Sequence, residues 1–513
     1  MTLCLRAGGI ATLSSCMISA CATSYLNRAP PSPATAWRPA SGDPHDFSLA
    51  TEPALPRSNE TETRIESERV YNLPELIDIA ESANPDTRIG WERARRAALA
   101  VGLAKATYLP TISALALGGF RHTSYPVPSL KNLIISPSEL APGLSLPVPL
   151  ITSGRVGVDT FDVLPFLAIK WQLLDFGRGA GVDAAEHASV AANVSFTAEH
   201  QKVVFEVTRA FLRLSAVRAQ TAVARQALER TRAIAQAAQA RFQRGLATKV
   251  QTVEARREVA QAEYDLARAE AGETAVYTAL LSTMGIDPLL RLKVVTNPSR
   301  DLPSQLAPKV DDYLRAALKT RPDLQAALAL NSSAHALVAQ SEATLLPRMS
   351  VVGTAGAAVI GARIDGSSFT SATLPNVGAL VSFEWLLFDA GVRDAQTEIA
   401  RSHENETEQV IAKLQRQATQ EVVSAYNEVN ASLARYQAAS SLERTAVVAE
   451  DSVTKSYESG LSTLTEALSA QKARSLASGA KEQAFAEALI SATTLAFASG
   501  QLGSAKAVPD LKN

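Results

Sequence analysis

Four landmarks in this sequence occur twice, in the same order, and any fold must accommodate that repetition. Asn84-Pro85-Asp86 returns as Arg321-Pro322-Asp323, and Leu109-Pro110-Thr111-Ile112-Ser113 returns as Leu346-Pro347-Arg348-Met349-Ser350, both 237 residues later. Trp171-Gln172-Leu173-Leu174-Asp175-Phe176-Gly177 returns 214 residues later as Trp385-Leu386-Leu387-Phe388-Asp389-Ala390-Gly391. Phe242-Gln243-Arg244-Gly245-Leu246 returns 215 residues later as Tyr457-Glu458-Ser459-Gly460-Leu461. The offset drops by 23 between the second and third landmarks, so one loop is expected to be longer in the first half. The pattern is an internal duplication, with a first repeat over 70–300, a second over 301–502 and a C-terminal tail over 503–513.

Each unit reads helix, strand, strand, long helix, shorter helix. Pro85 and Pro322 sit where a helix starts afresh, and Pro110 and Pro347 end the helix that follows. From about Gly177 to Arg244 there is no proline, and glycine occurs only at the start, which leaves one helix of roughly 100 Å at ~1.5 Å per residue. The second half offers its equal from about Gly391 to Ser459, and after Gly245 and Gly460 a returning helix runs to about Met284 or Leu495. Val203, Val207, Ala210, Leu214, Val217, Thr221, Ala224, Leu228, Thr231, Ala235, Ala238 and Phe242 alternate spacings of four and three, the signature of coiled-coil-like packing. The second seam (Val422, Tyr426, Val429, Leu433, Tyr436) is shorter before polar residues interrupt it. In each unit the helix before the hairpin and the returning helix together match one long helix, so they could stack end to end beside it. Few aromatics (5%) and frequent alanine agree with long helices.

The hairpins alternate. Leu167, Ile169, Trp171 and Leu173 point one way, and Ala168, Lys170 and Gln172 the other. Val381, Phe383, Trp385 and Leu387 likewise oppose Leu380, Ser382 and Glu384. A transmembrane barrel strand needs such alternation, and a soluble sandwich strand would look alike. No stretch offers ~20 consecutive apolar residues for a spanning helix. If the chain crosses a membrane it does so as a closed barrel, and four strands per chain require several chains to close one.

All three cysteines (Cys4, Cys16, Cys21) lie at the very start. Arg6, then a mostly apolar or small run to Ala20, reads as a signal peptide over 1–20. Ile18-Ser19-Ala20-Cys21 resembles a bacterial lipobox, which would make Cys21 the lipid-modified first mature residue; Leu13-Ser14-Ser15-Cys16 matches the same loose pattern with a stunted apolar region, and an ordinary signal peptide is the alternative. Residues 21–69, rich in Pro, Ser, Thr and Glu, read as an extended tether.

Duplication, lipobox, hairpins between long helices and the Phe/Tyr-x-x-Gly-Leu turn together resemble the TolC-like outer-membrane factors over roughly 70–502. The resemblance implies a mainly α fold with a small transmembrane β part: a homotrimer whose pooled strands build a twelve-strand barrel and whose helices build a hollow periplasmic α-barrel. It implies an outer-membrane duct extending into the periplasm, whose tip turns meet a periplasmic adaptor protein joined to an inner-membrane pump. By position, the tips are Phe242, Gly245, Leu246, Tyr457, Gly460 and Leu461, and Glu466 falls where a periplasmic gate carboxylate is expected. Ser462 and Ser469 stand where the family often places further acids or a basic tether. Trp171 and Trp385 would sit near the base of the barrel at the lipid interface, and Lys170 and Glu384 would face the lumen. Ala22, rather than aspartate, favours the outer membrane by the same analogy.

Rival classes fare less well. Six scattered histidines, no His-Glu-x-x-His, no phosphate-binding Gly-x-x-x-x-Gly-Lys-Ser/Thr and no Gly-x-Ser-x-Gly elbow argue against an enzyme, a catalytic metal or a cofactor. A net charge of -1 gives no basic field for nucleic acid. A lipid-anchored coiled-coil scaffold without a pore would keep the heptads but has no use for matched alternating strands. Cargo is not legible. A lipidated cysteine leans towards drug or metal efflux, and a type I protein secretion duct has the same design.

Overall fold

The computed structural model describes residues 32, 34–35, 69–135, 146–295 and 302–502. The signal peptide, Cys21, nearly all of the tether and the C-terminal tail lie outside them. Two runs of elements follow one another in matching order. The first comprises β1 (Val70–Tyr71), α1 (Leu73–Ala83), α2 (Pro85–Ala106), β2 (Thr111–Ile135), β3 (Leu146–Leu174), α3 (Arg178–Gln243), α4 (Lys249–Met284) and β4 (Lys293–Val294). The second comprises α5 (Val310–Thr320), α6 (Pro322–Glu342), β5 (Arg348–Ile364), β6 (Thr370–Glu384), α7 (Val392–Glu458) and α8 (Leu464–Ala498). The long helices have 66 and 67 residues and begin and end within a residue or two of the glycine landmarks. No described helix is long and apolar enough to cross a membrane.

The duplicated Asp-x-Gly motif explains how the long helices start. Asp175 Oδ1 accepts from the Gly177 N–H at 3.0 Å. Asp389 accepts from the Gly391 and Arg393 N–H groups and from Arg393 Nε at 2.7 Å. These bonds, with Arg393 first among them, hold the Asp389 carboxyl below the usual carboxylate range.

Backbone contacts divide the described residues into two compact units, one helical (within 69–102, 183–336 and 401–502) and one containing the strands (within 103–182 and 337–400). In the helical unit the expected seam of α3 is buried or half-buried at every position, with Val207, Leu214 and Ala238 fully enclosed. Antiparallel pairing of α3 and α4 is registered by Arg218–Glu273 (3.0 Å), Arg225–Glu270 (3.1 Å) and Arg232–Glu263 (2.8 Å). Such surface pairs add little stability and mainly set alignment. Arg474–Glu450 (2.6 Å), with Glu450 buried, and the half-buried Lys481–Glu443 (2.8 Å) join α7 to α8.

The short helices α1 and α5 and the parallel β1–β4 pair were not expected from sequence. Leu76, Ile77 and Ala80 of α1 share one buried cluster with Val203, Val207 and Leu214 of α3 and Leu280, Leu281 and Met284 of α4. Ala317 of α5 joins Val422, Val429 and Leu433 of α7. Asn72 caps α1 through a reciprocal box with Glu75, a signal visible in the sequence as Asn-x-x-Glu.

End-to-end stacking of the shorter helices is present in both repeats. Gly285, at φ +76°, ends α4, and a Cβ there would lie 2.8 Å from Asn84 Cα at the head of α2. Asn84 Nδ2 donates to the Thr283 carbonyl at 3.0 Å. Gly500, at φ +68°, ends α8, and Arg321 donates to the Ala498 carbonyl at 3.1 Å while Thr320 Oγ1 donates to that of Ser499.

The strand unit is a four-stranded antiparallel sheet in the order β2-β3-β5-β6. The connection between the strands is longer in the first half, positions 136–145 against 365–369, but most of the extra residues extend the strands, 25 and 29 residues against 17 and 15: β2 and β3 stay paired to Ile135↔Leu146, well past the Val158↔Ile364 end of the β3–β5 ladder. Both outer strands, β2 and β6, have a neighbour on one side only among the described residues.

Candidate functional site

Two regions carry the residues singled out by sequence, one in each unit. At the α3–α4 turn Gly245 takes φ +75° and at the α7–α8 turn Gly460 takes φ +81°. Both close left-handed caps: the Leu246 N–H reaches the Arg241 carbonyl (2.9 Å) and the Leu461 N–H that of Ser456 (2.8 Å). Their leucines are left outside, Leu246 66% and Leu461 86% exposed. The two aromatic positions are not equivalent. Phe242 is half-buried, with Lys249 over its ring, whereas Tyr457 is buried with Ile234, Ala238 and Leu464. Arg241 stacks on the Tyr457 ring (5.1 Å to its centre) and donates to its carbonyl at 2.5 Å. Burial pushes the Tyr457 hydroxyl up despite the arginine.

Glu466 is engaged locally. Its carboxylate accepts from Ser462 Oγ (2.6 Å) and from the Thr463 N–H (2.8 Å), while Thr463 Oγ1 accepts from the Glu466 N–H, a complete capping box for α8. The Ser462 and Thr463 bonds hold it below the ordinary carboxylate range. In the first repeat Thr248 and the neutral Gln251 make the same box for α4. Helix starting therefore accounts for the bonds this side chain makes within one chain.

In the strand unit, the odd positions of β3 from Val163 to Leu173 are exposed and all apolar, whereas Asp162, Leu164, Phe166, Ala168 and Gln172 between them are half-buried. Lys170 pairs across β2 with Thr111, and Glu384 across β5 with Arg348. Both stand on the face opposite the apolar row, at the strand ends that meet α2 and α6. Trp171 and Trp385 belong to the same end. Their indole N–H groups donate to main-chain carbonyls in matching places, Trp171 to Tyr108 (3.0 Å) and Trp385 to Leu345 (3.1 Å). Each indole fastens the last turn before a hairpin to that hairpin's returning end, a role that the sequence pattern does not reveal. Sequence reasoning also missed Arg241; its only signal was a cation one residue before an apolar tip position.

An α-helical core of one long and two shorter stacked helices per repeat, joined to a small antiparallel sheet of paired hairpins, defines the fold class of the outer-membrane channel proteins. The family model described as outer membrane efflux protein matches residues 76–285 and 313–501, once in each repeat, and the chain belongs to that family, an outer-membrane, TolC-like transport family. Solved structures share the fold. The outer membrane protein VceC of Vibrio cholerae superposes with a TM-score of 0.61 at 19% identity, covering 83% of this chain and 96% of that one. The CmeC outer membrane channel of Campylobacter jejuni gives 0.64 at 18% identity, covering 91% and 95%. Protein CyaE of Bordetella pertussis is 26% identical over 376 residues, 71% of this chain and 70% of that protein.

Proposed function

We propose that three copies of this chain form a passive outer-membrane duct that carries cargo across the outer membrane from a periplasmic partner. The observation that carries this reading is the four-stranded sheet, whose two outer strands have no second neighbour among the described residues, with an exposed apolar row along β3 from Val163 to Leu173. In hydrocarbon an open edge leaves backbone groups without partners, so the edges must close on further copies. Three chains supply twelve strands, with the face of Lys170 and Glu384 turned to the lumen, where water solvates charge.

The tip turns dock a periplasmic adaptor, which couples the duct to an inner-membrane pump. Leu246 and Leu461 are apolar knobs raised on rigid caps, suited to a groove on a partner helix pair. Energy and cargo choice belong to the pump, and the duct itself performs no catalysis. Cys21 anchors the mature N-terminus to outer-membrane lipid ahead of the tether. Drug or metal efflux is the preferred branch of this reading, with protein secretion the alternative.

Conductance of liposomes or planar bilayers carrying the purified protein tests the duct. Discrete channels support it. A protein that decorates bilayers without conducting is a lipid-anchored scaffold instead.

A further inference from the structure

Alternation sorts the sheet into two faces, and the face carrying Trp171 holds a charged cluster as well as the apolar row. From Trp171 the row runs through Ile169, Leu167, Pro165 and Val163 to Phe161, and no charged side chain stands at the positions paired with it on β2, β5 and β6. The ten steps from Trp171 to Phe161 span about 33 Å at ~3.3 Å per residue, or about 25 Å along the normal of a strand tilted ~40°, the height of a hydrocarbon layer. The row ends in aromatic rings. Phe161 packs edge-on against Phe369 at 5.4 Å and lies over Gly361, where any Cβ would overlap its ring at 1.9 Å.

One pairing beyond the rings, on the same face, His122 stands opposite Asp159 and Asp159 opposite Arg363. Asp159, whose side chain is only 14% exposed, accepts from Arg363 Nε at 2.6 Å and is bonded to His122 Nδ1 at 2.6 Å. The carboxylate therefore orients both side chains, one through each of its oxygens. Arg363 lies over the Phe369 ring at 4.9 Å, and its terminal nitrogens make no hydrogen bond to any described residue. Arg155, bonded to Ser124, adds a second guanidinium further out on this face. Asp365, whose Oδ1 accepts from the Gly157 N–H at 2.7 Å beside His122, adds a second carboxylate, so two guanidinium groups face two carboxylates and what the cluster leaves open to an anion is the terminal edge of Arg363.

We propose that His122, Asp159 and Arg363 form a site for the phosphate of a lipid headgroup in the outward leaflet, held by the Arg363 fork and steadied by the Phe161–Phe369 pair. This rests on the barrel reading above, since it needs the Trp171 face turned to lipid. A guanidinium held at Nε by a carboxylate still offers a second edge to a phosphate, and such charge-assisted bonds are among the stronger polar contacts.

The test uses the full-length assembled protein in phosphatidylcholine nanodiscs, titrated with diphosphoryl lipid A and read by native mass spectrometry, with channel conductance measured on the same preparation. R363Q is expected to weaken binding about tenfold, H122Q to weaken it less, and R121Q, one residue away on the opposite face, to leave it unchanged. Conducting channels that bind dephosphorylated lipid A equally well, or in which neither R363Q nor H122Q weakens binding, overturn the site and leave the duct standing. An equal loss in R121Q overturns the assignment of faces, and a protein that neither inserts nor conducts overturns both readings. If R363Q does not assemble, R363K and H122Q carry the comparison.

Discussion

Replacing Gly285 should damage the fold more than replacing Gly245, although both glycines end a helix at nearly the same φ (+76° and +75°). A side chain in the left-handed region costs about 1–2 kcal/mol, and both positions incur it. At Gly245 nothing lies within 4 Å of the added Cβ, so that cost is the whole of it. At Gly285 the Cβ meets Asn84 Cα at 2.8 Å and the Pro85 ring at 3.0 Å, both parts of a helix start that cannot swing aside. Forcing apart packed groups adds about 1–3 kcal/mol, so G285A should cost roughly 2–5 kcal/mol against ~1–2 for G245A. The same contrast holds in the second repeat, where a Cβ at Gly500 meets Thr320 Oγ1 at 2.7 Å and the Arg321 nitrogen at 3.0 Å. Denaturant midpoints followed by far-ultraviolet circular dichroism, all at one protomer concentration, read the difference. Function should separate the pairs the other way, with G245V and G460V assembling but failing to couple to the adaptor. If G285A and G500A prove no more destabilising than G245A and G460A, the helices do not meet end to end as described. If export survives both tip replacements, the tips are not the docking surface.

Other expectations follow from the same geometry. Leu246→Asp with Leu461→Asp should abolish adaptor capture in a pull-down while leaving oligomer size unchanged, because both leucines are largely exposed. Trp171→Phe and Trp385→Phe each remove one indole-to-carbonyl bond and should cost about 0.5–1.5 kcal/mol, seen as a lower midpoint for the strand unit. Glu466 titrates lower in the folded chain than in the unfolded one, so its stabilisation is complete above the ordinary carboxylate value and lost as pH falls through the depressed one. E466Q, which copies Gln251 of the first repeat, should keep the cap and flatten that acid-range dependence in a pH series of denaturant midpoints.

Much of the fold was legible because its periodicities are long and uninterrupted. Pro85, Pro110, Gly245 and their partners punctuate the chain where backbone geometry changes, so helix limits followed to within a few residues. The seam from Val203 to Phe242 followed from heptad spacing alone. Short elements were harder to read: beyond the Asn72–Glu75 cap of α1, the elements α1, α5 and the two-residue strands depend on burial in clusters with the longer helices, which local pattern does not encode. The added length in the first hairpin looked like loop because an offset counts residues without saying whether they pair. Site residues were less legible still. Glu466 carries the charge of a gate and the bonds of a helix cap, and sequence position cannot distinguish them. The cluster of His122, Asp159 and Arg363 joins three strands across more than two hundred residues, so only the register reveals it.

The most direct test counts chains. Native mass spectrometry of the purified protein released from mild detergent should give a single species of three protomers, since β2 and β6 each have a side without a neighbour among the described residues and the proposed barrel closes them on further copies. A monomer that stays in solution without detergent would contradict the account, because its sheet edges would then be tolerated by water and nothing would require a barrel.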